Sequence, residues 1–513
     1  MSAPGRVHLV GAGPGALDLV TLRARELVGQ ADVLIYDYLC NPAMLAWART
    51  GVEIIYAGKS GPDHTLSQDE INALLVARAQ AGRQVVRLKG GDPYVFGRGG
   101  EEALVLARAG IPFEEVPGVT SAVAAPAYAG VPVTHREVSS MVTFVTGHED
   151  PSKPESSLDW KQLAALRGTK VFLMGVERLR EIMQCLLAEG AAPETPVALV
   201  RWGTTPRQES LAGTLATIAD MAAKRNFKAP AITVIGEVVK LREELNWFEA
   251  LPLFGQRIVV TRARPQAGGL AAKLARLGAD VLDIPAIRIV PVPLATEERK
   301  KLERVSDHYD WLVFTSPNAV DFFFDEFFRT HQDVRRLGEV KLAAVGPATA
   351  RKLAQLHLQA ELQPEIFTAE KLAAAFPAPG IASKRFCLPR GKLAGPLLPE
   401  TLRAGGAMVD EWILYDTQPE NSDPAGARTR YEKEGAHWIA FTSASTVENW
   451  HALALPVATD VPRPRNVSIG PVTSDALRRL GCEIAGEASE ATLDSLVETI
   501  LKLSIRSSHA DNR

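Results

Sequence analysis

Apolar residues in the first half of the chain fall in short runs, each closed by glycine, serine or threonine and followed by helical spacing. Val7-His-Leu-Val10, Asp32-Val-Leu-Ile-Tyr36, Glu53-Ile-Ile-Tyr-Ala57, Gln84-Val-Val-Arg-Leu88 and Phe113-Glu-Glu-Val116 read as strands. So do Val142-Thr-Phe-Val-Thr-Gly-His148, Thr169-Lys-Val-Phe-Leu173, Pro196-Val-Ala-Leu-Val-Arg201 and Ala229-Pro-Ala-Ile-Thr-Val-Ile235. Between them, Leu17-Asp-Leu-Val-Thr-Leu-Arg-Ala24 has helical spacing, and Ser67-Gln-Asp-Glu70 is a capping box for a helix running to about Ala81. Residues 149–159 are polar and predict a mobile loop. Strands alternating with helices specify an α/β fold.

The strand ends carry the chemistry. Arg87-Leu-Lys-Gly-Gly-Asp-Pro-Tyr-Val-Phe-Gly-Arg-Gly-Gly-Glu-Glu102 holds five glycines in sixteen residues, which suits neither helix nor strand. It follows a strand and opens a helix, the place where α/β proteins hold small ligands. Gly11-Ala-Gly-Pro-Gly15 is a second such loop, but its spacing is not the Gly-x-Gly-x-x-Gly of dinucleotide binding. Pro117-Gly-Val-Thr-Ser-Ala122 is a third, with small residues at the start of a helix. Asp37 and Lys59 each follow a strand; a turn cap and a solvated charge are the plain alternatives.

The second half repeats itself. Trp311-Leu-Val-Phe-Thr-Ser316 recurs as Trp438-Ile-Ala-Phe-Thr-Ser443, and Ala344-Val-Gly-Pro-Ala-Thr349 as Ser468-Ile-Gly-Pro-Val-Thr473. Val259-Val-Thr-Arg262 pairs more loosely with Cys387-Leu-Pro-Arg390. Duplication predicts two α/β lobes, one from about 255–287 with 418–505 and the other from about 293–411. Ile287-Arg-Ile-Val-Pro-Val292 and Trp412-Ile-Leu-Tyr-Asp-Thr417 then read as crossovers between lobes. Thr-Ser and Gly-Pro-x-Thr at helix starts offer N–H groups and hydroxyls to anions, or simply cap their helices. No His, Cys or paired carboxylate stands out as a covalent catalyst. Leu241–Gly255 is rich in Leu, Trp and Phe, so it reads as a packed linker with the boundary near Leu251.

Composition narrows the class. A chain of 513 residues exceeds one core, and 46% hydrophobic with 23% charged residues is ordinary for a globular protein. A net charge of −3 gives no support for nucleic-acid binding. Cys40, Cys185, Cys387 and Cys482 lie far apart without metal spacing, which predicts reduced thiols and no metal. With no signal-type segment and no run long enough to span a bilayer, the expectation is a cytoplasmic protein.

Taken together, the Gly11–Gly15, Tyr36-Asp37, Arg87–Glu102 and Pro117–Ala122 motifs, with Val131-Pro-Val-Thr-His-Arg136, resemble uroporphyrinogen-III C-methyltransferase, a tetrapyrrole methylase, over residues 5–245. The resemblance implies two α/β subdomains with S-adenosyl-L-methionine between them, in a homodimer formed through this half. It places Pro14, Gly90, Gly91, Asp92, Val95, Thr120, Ser121, Met174 and Gly203 at the cofactor, Asp37 as proton acceptor and Lys59 as proton donor. The cofactor carries an activated methyl group, so the protein's task is to align donor and nucleophile. The eight carboxylates of that family's substrate call for arginines, with Arg87, Arg98, Arg136 and Arg201 as candidates.

Residues 255–500 resemble uroporphyrinogen-III synthase, on Val260-Thr-Arg-Ala-Arg-Pro265, Phe314-Thr-Ser-Pro-Asn-Ala-Val320, Leu414-Tyr-Asp-Thr417, Phe441-Thr-Ser-Ala-Ser-Thr-Val447 and Ile469-Gly-Pro-Val-Thr473. That implies two flavodoxin-like lobes that cyclise hydroxymethylbilane, and it makes Tyr415 the residue assisting loss of the hydroxyl; packing at the crossover is the alternative. The expectation is therefore a bifunctional enzyme, residues 1–248 the methyltransferase and 252–505 the synthase. Uroporphyrinogen III would be made in the second half and methylated twice to precorrin-2 in the first, for sirohaem or cobalamin. The alternative is an active methyltransferase with a non-catalytic tetrapyrrole-binding module behind it. Methylation of a later corrin intermediate is disfavoured by the long match around Arg87–Glu102, and a nicotinamide oxidoreductase by the glycine spacing.

Overall fold

A computed structural model describes residues 5–58, 66–147, 158–262, 264–376, 380–420, 422–423 and 426–510. Lys59 and the 149–157 stretch lie outside the described residues. Among the described residues there are four five-stranded sheets.

The first sheet contains β1 (Arg6–Gly11), β2 (Val33–Tyr36), β3 (Glu53–Tyr56), β4 (Gln84–Lys89) and β5 (Phe113–Val116), in the order β3-β2-β4-β1-β5. All its pairs are parallel, so every strand's C-terminal end faces the same edge. β4 is buried along all but its first residue, as a central strand covered on both faces must be. The helix Gln68–Gln80 starts on the expected Ser67–Glu70 capping box. The helical pattern after Gly15 is broken instead: a short 3-10 turn (Leu17–Leu19) precedes a helix (Leu22–Gln30) capped by Thr21, whose side chain takes the Ala24 amide.

The second sheet holds β6 (Val142–Thr146), β7 (Thr169–Leu173), β8 (Pro196–Arg201), β9 (Glu209–Thr214) and β10 (Ala231–Ile235), ordered β6-β7-β10-β8-β9. β10 runs antiparallel to both neighbours, with Ile232 opposite Leu173 and Ala231 opposite Arg201. The ends of β7 and β8 therefore flank the start of β10 on one edge.

The synthase-like half has β11 (Arg257–Val260), β12 (Asp280–Asp283), β13 (Ile287–Pro291), β14 (Trp311–Phe314), β15 (Lys341–Ala344), β16 (Arg385–Gly391), β17 (Met408–Pro419), β18 (Trp438–Phe441), β19 (Arg465–Ser468) and β20 (Ile484–Glu487). One sheet is β12-β11-β18-β19-β20 and the other β13-β17-β16-β14-β15. The two copies of the repeat thus occupy different sheets. The predicted crossovers are not bare connections: β13 and β17 pair antiparallel from Ile287↔Pro419 to Pro291↔Tyr415 and form one side of the second sheet. Pairing satisfies backbone groups that a crossing without strands would leave unpartnered.

The linker is packed. Phe248 is 6% exposed, with its ring centroid 4.8 Å from Tyr128 and 5.5 Å from Phe254. Glu249 accepts from Gln208 Nε2 (2.8 Å) and Ser210 Oγ (2.5 Å), and Leu253 is buried in the core of the β11 sheet.

Candidate active sites

Three glycine loops leave the same edge of the first sheet. Gly13 and Gly91 bond each other's backbone, Gly91 N donating to Gly13 O at 2.7 Å and Gly13 N to Gly91 O at 3.2 Å. Their φ values of +70° and +68° suit glycine. A Cβ at Gly11 would lie 2.5 Å from Gly118 Cα, so the first and third loops touch through backbone alone. Asp92 clips the second to the third: Oδ1 accepts from Tyr94 N (2.8 Å) and Val95 N (3.1 Å), Oδ2 from Gly118 N (3.1 Å). Thr120 caps the helix Ser121–Tyr128 through Ala122 N.

The second sheet meets these loops through the turn after β8. Trp202, Gly203 and Thr204 follow β8, and Thr204 Oγ1 accepts from Ala16 N at 3.1 Å, beside the Pro14 loop. Met174 follows β7 and is 51% exposed. Phe96, Arg98, Met174, Trp202 and Thr204 all hold left-handed backbone, with φ between +47° and +70°. Left-handed non-glycine residues cost about 1–3 kcal/mol each and persist where their surroundings over-determine them, commonly at ligand sites. Trp202 Nε1 is buried without a hydrogen-bond partner among the described residues. Pro14, Gly90, Gly91, Asp92, Val95, Thr120 and Ser121 thus gather on loops at the C-terminal edge of the first sheet, while Met174 and Gly203 follow strands of the second.

Asp37 follows β2. Its Oδ1 accepts from Leu39 N (3.0 Å) and the Cys40 thiol (3.6 Å), leaving Oδ2 toward Arg87 Nη1 at 3.5 Å. Burial, with Asp37 second, pushes the Cys40 thiol well up, so Cys40 remains a neutral donor. Arg87 does not match its expected role as a carboxylate receptor. It is 4% exposed and committed to Asp37 and to Glu102, 3.5 Å from its Nε. Arg98 pairs with Glu101 at the surface, Arg201 with Glu209 at 3.2 Å, and Arg136 is exposed.

In the second half, Ser316 caps the helix Pro317–Thr330 through Ala319 N (3.1 Å), and Ser443 caps Ala444–Leu453 through Thr446 N (3.3 Å). Ser316 Oγ also lies 2.9 Å from Tyr415 Oη, a partner that sequence reasoning missed although the Thr-Ser signal was in view. The Tyr415 ring stacks on Phe322, centroids 5.4 Å apart and planes at 22°. Gly391, opposite Tyr415 at a register shift, leaves room for that ring. Thr349 and Thr473 are buried, so their hydroxyls face protein. Burial holds the Arg262 guanidinium below its usual range. Among the described residues no cluster of His, Cys, Asp or Glu could hold a metal ion, and no helix is long and apolar enough to cross a membrane. All four cysteines are free, Cys40 and Cys387 buried.

Fold and site define an α/β enzyme of two tandem halves, the first with its glycine loops gathered at one sheet edge and the second built on a duplicated lobe. Residues 6–219 match the tetrapyrrole (corrin/porphyrin) methylases, and residues 269–498 match uroporphyrinogen-III synthase HemD. The chain is 37% identical over 501 residues to a porphyrin biosynthesis protein HemD of Ruminiclostridium josui, covering 97% of this chain and 98% of that one. It is 56% identical over 242 residues to an S-adenosyl-L-methionine-dependent uroporphyrinogen III methyltransferase of Methanosarcina barkeri, covering 47% of this chain and 95% of the relative. A solved uroporphyrin-III C-methyl transferase from Thermus thermophilus, complexed with S-adenyl homocysteine, is 41% identical with a TM-score of 0.41, over 46% of this chain and 100% of that one. The chain belongs to the family of porphyrin-biosynthesis proteins in which a tetrapyrrole methylase precedes a uroporphyrinogen-III synthase.

Proposed function

We propose that residues 252–505 convert hydroxymethylbilane to uroporphyrinogen III and that residues 1–248 methylate it twice to precorrin-2. The observation that carries the reading is the meeting of three glycine loops with a strained facing edge beside Asp37, in one chain with a duplicated two-lobed half. S-adenosyl-L-methionine would lie along backbone at Gly90, Gly91, Thr120 and Gly203, where the glycine loops of the first sheet meet and the turn after β8 bonds back to Ala16. Pro14, Asp92, Val95, Ser121 and Met174 complete the residues that would hold it. Bound there, it supplies an activated methyl group. Asp37 accepts the proton that the methylated macrocycle must lose, since its Oδ2 takes no hydrogen bond from its own turn. Lys59 is assigned the complementary donor role by resemblance.

In the second half, protonation of the hydroxymethyl group of hydroxymethylbilane and its departure as water would leave a cationic azafulvene; recyclisation through a spiro intermediate inverts the last ring and releases a proton. Tyr415 supports departure of the hydroxyl, and Ser316 holds its phenol in place. Folding the substrate into one geometry does most of the work, which needs no covalent dyad. We further assign the protein to the cytoplasm as a homodimer through the methyltransferase half, without a nucleic-acid partner.

Incubation with hydroxymethylbilane and S-adenosyl-L-methionine should give dimethylated isomer-III product. Uroporphyrinogen I alone would refute the synthase assignment, and unmethylated isomer III the methyltransferase assignment.

A further inference from the structure

Beneath Asp37 lies a chain of buried charges that the reaction as described does not use. Arg87 and Lys89 are two residues apart on β4, so both point to one face. Each is 4% exposed. On that side the helix Gly99–Arg108 presents Glu102, which is fully buried. Glu102 Oε1 is 2.7 Å from Lys89 Nζ, 3.2 Å from Gln68 Nε2 and 3.5 Å from Arg87 Nε. Arg87 continues to Asp37 at 3.5 Å. The order Lys89, Glu102, Arg87, Asp37 alternates in sign and sums to zero.

We propose that Glu102 and Lys89 are positioning residues for methyl transfer, setting the aim and charge environment of Asp37 through Arg87; the proposal rests on Asp37 being the proton acceptor. Buried ion pairs need compensation at every member, and replacing well-packed apolar residues by them rarely adds stability. A fold needing only packing at the end of β4 would be as well served by leucines. Glu102 Oε1 draws the Nε side of the guanidinium at 3.5 Å and the Leu88 carbonyl accepts from Nη1 at 2.8 Å, so Arg87 stays 3.5 Å from Asp37 and does not close on it as a tight ion pair. Burial, then Arg87, pulls the Lys89 ammonium below its ordinary range, while Glu102 and Asp37 oppose them, so the members sense one another. The other titratable groups felt with Asp37 are Tyr38 and Cys40 on its own segment, both pushed up and neutral.

The test exploits the alternation of sign. In the full-length protein, kcat for methylation of supplied uroporphyrinogen III is followed across its acid limb at saturating cofactor. K89M removes a cation near Asp37 and should move the limb up by roughly half to one pH unit; E102Q removes an anion and should move it down by a similar amount. K89M/E102Q should return it close to wild type. If E102Q is insoluble, K89M against the double variant gives the same comparison. Calorimetric binding of S-adenosyl-L-methionine near the wild-type value confirms the fold. Limbs that stay fixed, or that move the same way in both single variants, overturn the proposal. Failure of the underlying reading looks different: D37N would keep the wild-type rate.

Discussion

Gly391 makes a sharp perturbation because it separates the two activities. A Cβ there would lie 2.5 Å from Tyr415 Cε2, 2.7 Å from Cζ and 3.1 Å from Oη. Carbon atoms rest at about 3.5–4.0 Å, so in G391A the ring must retreat by about 1 Å. It cannot slide freely, because Phe322 stacks on it. A 2.9 Å contact to Ser316 lengthened by that amount is no longer a hydrogen bond. Overpacking costs about 1–3 kcal/mol and the lost hydrogen bond about 1 kcal/mol. If even about 1.4–2.8 kcal/mol falls on the transition state, isomer-III formation drops tenfold to a hundredfold. The assay is chromatography of the isomer III to isomer I ratio from hydroxymethylbilane, run beside methylation of supplied uroporphyrinogen III. G391A should lose the first and keep the second. Wild-type isomer-III formation in G391A, or equal loss of both activities, would refute the reasoning.

Three other outcomes follow from the same geometry. In G203A the added Cβ meets Ala125 Cα at 2.8 Å and Val200 Cγ1 at 3.3 Å; calorimetry should show cofactor binding weakened at least about tenfold, with isomer-III formation unchanged. F248A empties a site bounded by Tyr128, Trp247 and Phe254 and should cost about 3–5 kcal/mol, lowering the melting transition; an unmoved transition would count against a packed linker. Burial alone would raise the Asp280 carboxyl, but bonds from Arg430 and Arg257 prevail and hold it below its ordinary value of 3.8. Its contribution is thus complete above that value and is lost as pH falls through the lower folded one, so D280N should remove part of the acid-unfolding transition below pH 3.8, read by circular dichroism.

Much of this was readable from sequence because strand ends are punctuated. Glycine after Val10, and Thr-Ser after Phe314 and Phe441, mark where backbone must turn tightly or cap a helix. The repeat placed Trp311–Phe314 and Trp438–Phe441 in separate sheets. What escaped has physical reasons. β9 (Glu209–Thr214) carries few apolar residues, since it lies at the end of its sheet. β13 and β17 earn their pairing only when chain segments some 130 residues apart meet, as Arg288 and Gln418 do. Arg87 looked like a surface receptor because a charge in sequence does not announce the counter-charge that lets it be buried. The left-handed backbone of Met174 and Trp202 left no trace either, because neither residue type favours it.

The repeat is also threaded so that its first lobe is finished last. β11 pairs with β18, Ile258 opposite Trp438, across 180 residues, and the Arg257 amide donates to His437 Nδ1 at 2.8 Å over the same interval. On the ribosome, β11 and β12 emerge early and wait with one edge open while the entire second lobe is made. That open edge is an invitation to pair with a neighbouring nascent chain. Premature termination between β12 and β18 therefore leaves a β11–β12 pair with its partner strand missing, and such fragments should aggregate even when the methyltransferase half has folded.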